Sequence, residues 1–142
     1  MALFVETRLP KRTREQMRKL ILYVDRNSGE KGRFFLRIIQ KKMSGMKVHI
    51  CRTVDACVTE VNRTNSYMES PIIVLFTDNE DRLDDLYEKK QIFQDKKIVM
   101  VLPGEKKPEN RAVVHRFFPR YFTYMDEQYD DLCDVLHKMI VQ

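Results

Sequence analysis

The sequence predicts a doubly wound α/β domain: a five-stranded parallel sheet in the order 2-1-3-4-5, with five helices over its two faces. Three observations lead there. Short apolar runs end abruptly on polar turn residues, as strands buried on both faces do. Each run is followed by a segment whose apolar residues recur at helical spacing. Strand and helix alternate through residues 20–142, and successive parallel strands are joined by right-handed crossovers.

The first strand is Leu20–Val24, closed by Asp25-Arg26-Asn27-Ser28. Ser28 can cap a helix that runs to about Met43 and stops at Ser44-Gly45. Phe34, Phe35, Ile38 and Ile39 are expected to face the sheet, while Arg33, Arg37 and Lys41 recur every four residues on another side. The second strand is Lys47–Cys51, and Thr53 caps a helix with Val54, Cys57, Val58 and Val61 on one face. Asn62–Ser70 reads as a polar loop. The third strand, Ile72–Phe76, is the strongest apolar run and ends in Thr77-Asp78-Asn79.

A helix over about Asp81–Phe93 follows, with Leu83, Leu86 and Tyr87 inward. The fourth strand, Lys97–Leu102, stops at Pro103-Gly104. The charged loop Glu105–Asn110 leads to a helix that reaches about Phe118, where Pro119 ends it. The fifth strand is Tyr121–Met125, and the last helix, about Tyr129–Val141, turns Leu132, Cys133, Leu136 and Ile140 inward.

The chain of 142 residues has the length of one domain, and 43% hydrophobic residues are enough for an ordinary core. No apolar stretch nears the roughly 18 residues of a membrane helix. The start, Met-Ala-Leu-Phe-Val-Glu-Thr-Arg, lacks a secretory pattern. Three cysteines without a CxxC read as reduced, buried thiols. The expectation is a cytoplasmic protein with no membrane partner. His49, His115 and His137 have no metal-ligand spacing, and no nucleophile–base arrangement is visible, so the chain is not expected to be an enzyme.

Charge is concentrated at one end. Arg8, Lys11, Arg12, Arg14, Arg18 and Lys19 face Glu6 and Glu15, leaving 20 basic and 19 acidic residues for the rest of the chain. Residues 1–19 therefore read as a basic arm ahead of the domain at 20–142. The arm is either a solvated leader or a dock for an acidic partner or nucleic acid. It has no interleaved aromatics, which argues against single-strand binding.

In the predicted strand order, the order reverses between strands one and three, and ligands of open α/β sheets bind outside the strands' carboxyl ends at such a point. Asp25 and Asp78 would both project there. At these strand ends, Tyr23-Val-Asp25-Arg26-Asn27-Ser28 and Val74-Leu-Phe-Thr-Asp78, the chain resembles the receiver domain of bacterial response regulators, a flavodoxin-like fold.

The resemblance covers roughly residues 19–141. It implies an acid pair for Mg²⁺ after the first strand and a phospho-accepting aspartate, Asp78, after the third. A Ser or Thr should follow strand four, and a Lys should follow strand five. Departures are plain: Arg26 stands for the second acid, Leu102-Pro103 offers no hydroxyl, and Thr123-Tyr124-Met125 offers no cation. Arg26 is expected to occupy the acidic crevice by pairing with Asp25 or Asp78. No cofactor is expected, and Mg²⁺ only if Asp78 is a working acceptor. Glu80, Asp81, Asp84 and Asp85 could add metal oxygens, but acids at a helix start more often complement its dipole.

Gly29 and Gly32 stand where a strand passes into a helix, yet match neither dinucleotide nor P-loop spacing; a flexible passage is expected. Arg33, Arg37 and Lys41 form either a solvated face or, by the resemblance, a protein-docking face. Phe118, Arg120, Tyr121 and Tyr124 belong to an aromatic segment with interface composition.

The leading expectation is a pseudo-receiver without phosphotransfer. It would act as a protein–protein adaptor in bacterial signalling or regulation, with self-association as one form of partnering. The alternatives are a stand-alone response regulator phosphorylated on Asp78, and an anionic-ligand or nucleic-acid binder using the arm. The near-neutral domain argues against the last.

Overall fold

The computed structural model describes residues 19–64, 70–104, 115–125 and 128–141. Five parallel strands form one sheet: β1 (Leu20–Val24), β2 (Val48–Cys51), β3 (Ile72–Phe76), β4 (Lys97–Leu102) and β5 (Tyr121–Tyr124). Their order is β2-β1-β3-β4-β5, as expected from the sequence. Registers are unbroken, from Leu20 beside Ile72 through Val24 beside Phe76, and from Ile72 beside Lys97 through Phe76 beside Val101. The helices are α1 (Gly29–Lys42), α2 (Val54–Arg63), α3 (Glu80–Glu88) and α4 (Asp130–Val141), with a 3-10 turn at Lys90–Phe93. No described helix is long and apolar enough to cross a membrane.

The sheet has a core on each face because alternate strand residues point to opposite sides. Leu20, Leu22, Val24, Val74, Phe76, Val99 and Val101 meet α1 and α4 through Phe35, Ile39, Leu132 and Leu136. Ile21, Tyr23, Ile73, Leu75, Ile98 and Met100 meet α2 and α3 through Cys57, Val61, Leu83 and Leu86. The central strands β1 and β3 are buried at every position, whereas edge strand β5 is half-buried throughout. This explains why the inner strands read as unbroken apolar runs.

Several boundaries differ from expectation. The segment after β3 breaks at Glu88, and Lys90–Phe93 turn as a 3-10 segment that buries Phe93. Lys47 and Met125 stand just outside their strands, although Lys47 O accepts from Leu20 N and Met125 N donates to Leu102 O. Phe34, expected against the sheet, is 53% exposed. The buried stripe of α1 is Gly32, Phe35, Leu36 and Ile39, and Phe34 falls a helical step to its side.

Asn62 and Arg63, expected in the polar loop, continue α2; residues 65–69 of that loop, the basic arm before Lys19 and most of the helix expected at 110–118 lie outside the described residues. Residues 115–117 of that helix are helical.

Candidate functional site: an arginine between two strand-end carboxylates

Asp25 follows β1 and Asp78 follows β3, side by side at the carboxyl edge of the sheet where the strand order reverses. Asp25 is buried and tightly held. Tyr23 Oη donates to its Oδ2 at 2.8 Å, and the Asn27 N–H donates to its Oδ1 at 2.9 Å. Burial, with that hydrogen bond to Asp25 next in weight, pushes the Tyr23 phenol far above its ordinary value, so it stays a donor. A tight turn, with Ser28 N donating to Asp25 O at 3.0 Å, carries the chain from β1 into α1.

That turn corrects the expectation for Arg26. It stands inside the turn, is exposed, and donates its backbone N–H to Arg52 O at 2.8 Å. Arg52 Nε in turn donates to Val24 O at 2.9 Å.

The cation between the two acids is Arg82. Its Nε lies 3.4 Å from Asp25 Oδ2 and 3.8 Å from Asp78 Oδ1. Both distances exceed the roughly 2.7–3.2 Å of an N–H···O hydrogen bond, so these are ion pairs. Asn79 caps α3, its side chain accepting from Arg82 N at 3.0 Å, and its Nδ2 donates to Asp78 Oδ2 at 3.3 Å. The cap thus sets the backbone from which Arg82 reaches back one helical turn to Asp78.

The crevice is charge-compensated but not saturated with hydrogen bonds. Asp78 Oδ1, Arg82 Nε and Ser28 Oγ are buried without a hydrogen-bond partner.

The positions at which the resemblance would place a hydroxyl and a lysine hold neither. Leu102 and Pro103 are buried, and Thr123 and Tyr124 are half-buried edge-strand residues. The hydroxyl of Thr77, the residue before Asp78, is turned to the neighbouring strand and donates its Oγ1 to Val101 O at 2.7 Å. A divalent cation wants several oxygen ligands. Here two carboxylates face a guanidinium, and no group of three or more His, Cys, Asp or Glu side chains converges among the described residues. The residues present do not fit Mg²⁺. Glu80, Asp81, Asp84 and Asp85 are all exposed on α3.

Gly29 enters α1 with φ +69, a conformation that glycine adopts freely. Gly32 serves close approach: a Cβ there would lie 1.7 Å from Ser28 Oγ and 2.7 Å from Ser28 Cβ.

The expected contact residues divide. Arg33, Arg37 and Lys41 are exposed on α1, Arg33 pairing with Glu30 at 3.1 Å. Exposed Phe34 stands beside them, its ring tilted against Tyr129 at 6.5 Å. Phe118 is 83% exposed and Arg120 is exposed. Tyr121 packs on one core and Tyr124 on the other. An odd spacing along a strand sends them to opposite faces, so the two tyrosines do not share a surface.

Sequence reasoning missed Arg82, although Asp78 and Arg82 carry the four-residue spacing of a helix ion pair. It also missed Glu60, buried on α2. Glu60 accepts from Arg63 Nε at 3.1 Å and Nη2 at 2.7 Å, and it pairs with Lys19 and with His49 at 3.5 Å. Arg63 first, then Lys19, holds its carboxyl down at about 2 against the pull of burial. This cluster ties α2 to β2 and to the start of β1. Cys51 and Cys57 are buried, hydrogen-bonded thiols, and Cys133 is buried in α4.

Comparison with protein-family models, curated proteins and solved structures gives no match to this chain.

Proposed function

We propose that this chain is a receiver-like protein that has given up phosphotransfer and acts as a protein–protein docking module in a bacterial regulatory complex. The observation that carries this reading is Arg82 between Asp25 and Asp78. A receiver's crevice needs a divalent cation among its acids; here a guanidinium stands in that space. An acceptor aspartate also needs a hydroxyl and a lysine nearby, and Leu102-Pro103 and Thr123-Tyr124-Met125 provide neither. The crevice then works as a fixed strut between β1, β3 and α3, with no switch between two states.

Docking falls to the outer side of α1. Arg33, Arg37 and Lys41 are exposed on α1 to one side of Phe34, whose ring is 53% exposed. An apolar anchor flanked by arginine and lysine suits an acidic partner with a hydrophobic contact of its own. Phe118 and Arg120 stand elsewhere, lining a pocket with Lys90 and Arg116.

The experiment is affinity purification of the full chain in parallel with Phe34→Ala and Arg37→Glu. A partner bound by the native protein, lost in both variants and indifferent to a phosphoryl donor supports fixed-state docking. A partner whose recovery requires the donor and Asp78 contradicts it.

A further inference from the structure

The acidic crevice lies at the carboxyl edge of the sheet. At the opposite edge, before β4 and β5, a pocket of about 950 Å³ opens between the 3-10 turn and residues 115–120. Its volume falls within the roughly 300–1,000 Å³ range of small-molecule sites. Phe93 and Phe117, both buried and 6.3 Å apart, form its floor. Among the described residues, Lys90, Lys96, Arg116 and Arg120 line it, with His115 and one acid, Asp95.

Two of these cations are held together. Lys90 Nζ donates to Tyr87 Oη at 3.0 Å, and Arg116 Nη1 donates to the same oxygen at 3.1 Å. Both also lie over the Tyr87 ring, at 4.5 and 5.2 Å from its centroid. Neither pairs with a carboxylate among the described residues. Like charges converging on one phenol repel each other, and an anion in the pocket would relieve them.

The rim adds a second feature. Phe118 is 83% exposed and held at φ +51. A bulky residue in the left-handed region is strained, and its ring covers no core. Such a ring is a platform for a flat apolar group.

We propose that this pocket binds a nucleoside phosphate, with Lys90, Arg116 and Arg120 on the phosphates and Phe118 stacked on the base. Arginine suits phosphate because its fork donates two hydrogen bonds, and an aromatic face accepts any base. A purely inorganic anion would leave Phe118 unexplained, and an extended peptide would not need a concave pocket of this volume. This site does not rest on the docking reading, and Asp78→Asn is expected to leave its affinity unchanged.

Isothermal titration of the full chain with ATP and with inorganic tripolyphosphate tests it. Arg116 and Phe118 are exposed, so their alanine variants keep the fold, checked by circular dichroism. ATP is expected to bind saturably at one site. Arg116→Ala should weaken ATP and tripolyphosphate alike by about tenfold, the loss of one charge-assisted phosphate contact. Phe118→Ala should weaken ATP by about tenfold, the loss of one base stack, and leave tripolyphosphate nearly unchanged. Three results would overturn the proposal. One is no saturable binding of ATP, GTP, CTP or UTP at millimolar concentration. Another is equal binding of tripolyphosphate and ATP with no effect of Phe118→Ala. The third is a glutamate-rich peptide that binds more tightly than any nucleotide and depends on Arg116, which would make the pocket a protein-docking site.

Discussion

Arg82 Nε lies 3.4 Å from Asp25 Oδ2, and the pair joins the first turn of α3 to the end of β1 across the mouth of the sheet. The same nitrogen faces Asp78 Oδ1 at 3.8 Å. Removing this cation leaves two largely buried carboxylates of like charge together. Arg82→Ala is expected to destabilise the protein by about 1–3 kcal/mol. Adding Asp78→Asn should recover part of that loss, because one of the two repelling charges is gone. Urea denaturation of the single and double variants measures the coupling. Strict additivity would show that Arg82 does not compensate Asp78.

Ser28 and Gly32 give a prediction whose sign is unusual. Losing a serine helix cap ordinarily costs about 1 kcal/mol. Here the Ser28 side chain makes no capping hydrogen bond, and its Oγ is buried without a partner. Ser28→Ala should therefore leave stability unchanged or raise it by up to about 1 kcal/mol. Gly32→Ala should cost about 1–3 kcal/mol by overpacking against Ser28. The double variant should lose less than Gly32→Ala alone. Thermal melts of the three proteins decide it, and a destabilised Ser28→Ala would mean that the hydroxyl does cap α1.

Glu60 predicts acid sensitivity. Its folded carboxyl is held at about 2, below the ordinary 4.5. A depressed acid stabilises the fold above its unfolded value, and that contribution fades as pH falls from about 4.5 to about 2. Glu60→Gln should lower stability at pH 7 by about 1–2 kcal/mol, discounted for the exposed Arg63 and His49 that share the cluster. The variant's deficit should shrink steadily through that acid window. Denaturation curves at several pH values test this, and a pH-independent deficit would mean that packing, not charge, is what Glu60 provides.

Phe34→Ala should change stability by less than about 0.5 kcal/mol, because the ring is 53% exposed and off the buried stripe of α1. Partner binding by the α1 surface should nevertheless be lost. A destabilisation above 2 kcal/mol would show that Phe34 serves the core with Tyr129.

The sheet was legible in the sequence because β1, β3 and β4 are central. Burial on both faces forces unbroken apolar runs such as Leu20–Val24 and Ile72–Phe76, and the turn residues after them mark the carboxyl edge. Asp25 and Asp78 were legible for the same reason. The occupant of their crevice was not. Arg26 is adjacent in sequence, but the turn that lets Asn27 N and Ser28 N bond back to Asp25 directs it outward. Arg82 enters through a helix cap at Asn79, a relation that spacing hints at and only the fold completes. Phe34 misled because a run of apolar residues in α1 is wider than the stripe that touches the sheet. Glu60 and the meeting of Lys90 with Arg116 on Tyr87 were invisible, since each joins residues distant in the chain or reads as an ordinary surface charge.

The most direct test of the arginine-filled crevice is intact mass after incubation of the folded protein with Mg²⁺ and phosphoramidate, with Asp78→Asn as control. The arrangement of Arg82 between Asp25 and Asp78 predicts no phosphoryl adduct. A single adduct on the native protein that disappears in Asp78→Asn would contradict it and make Asp78 a working acceptor.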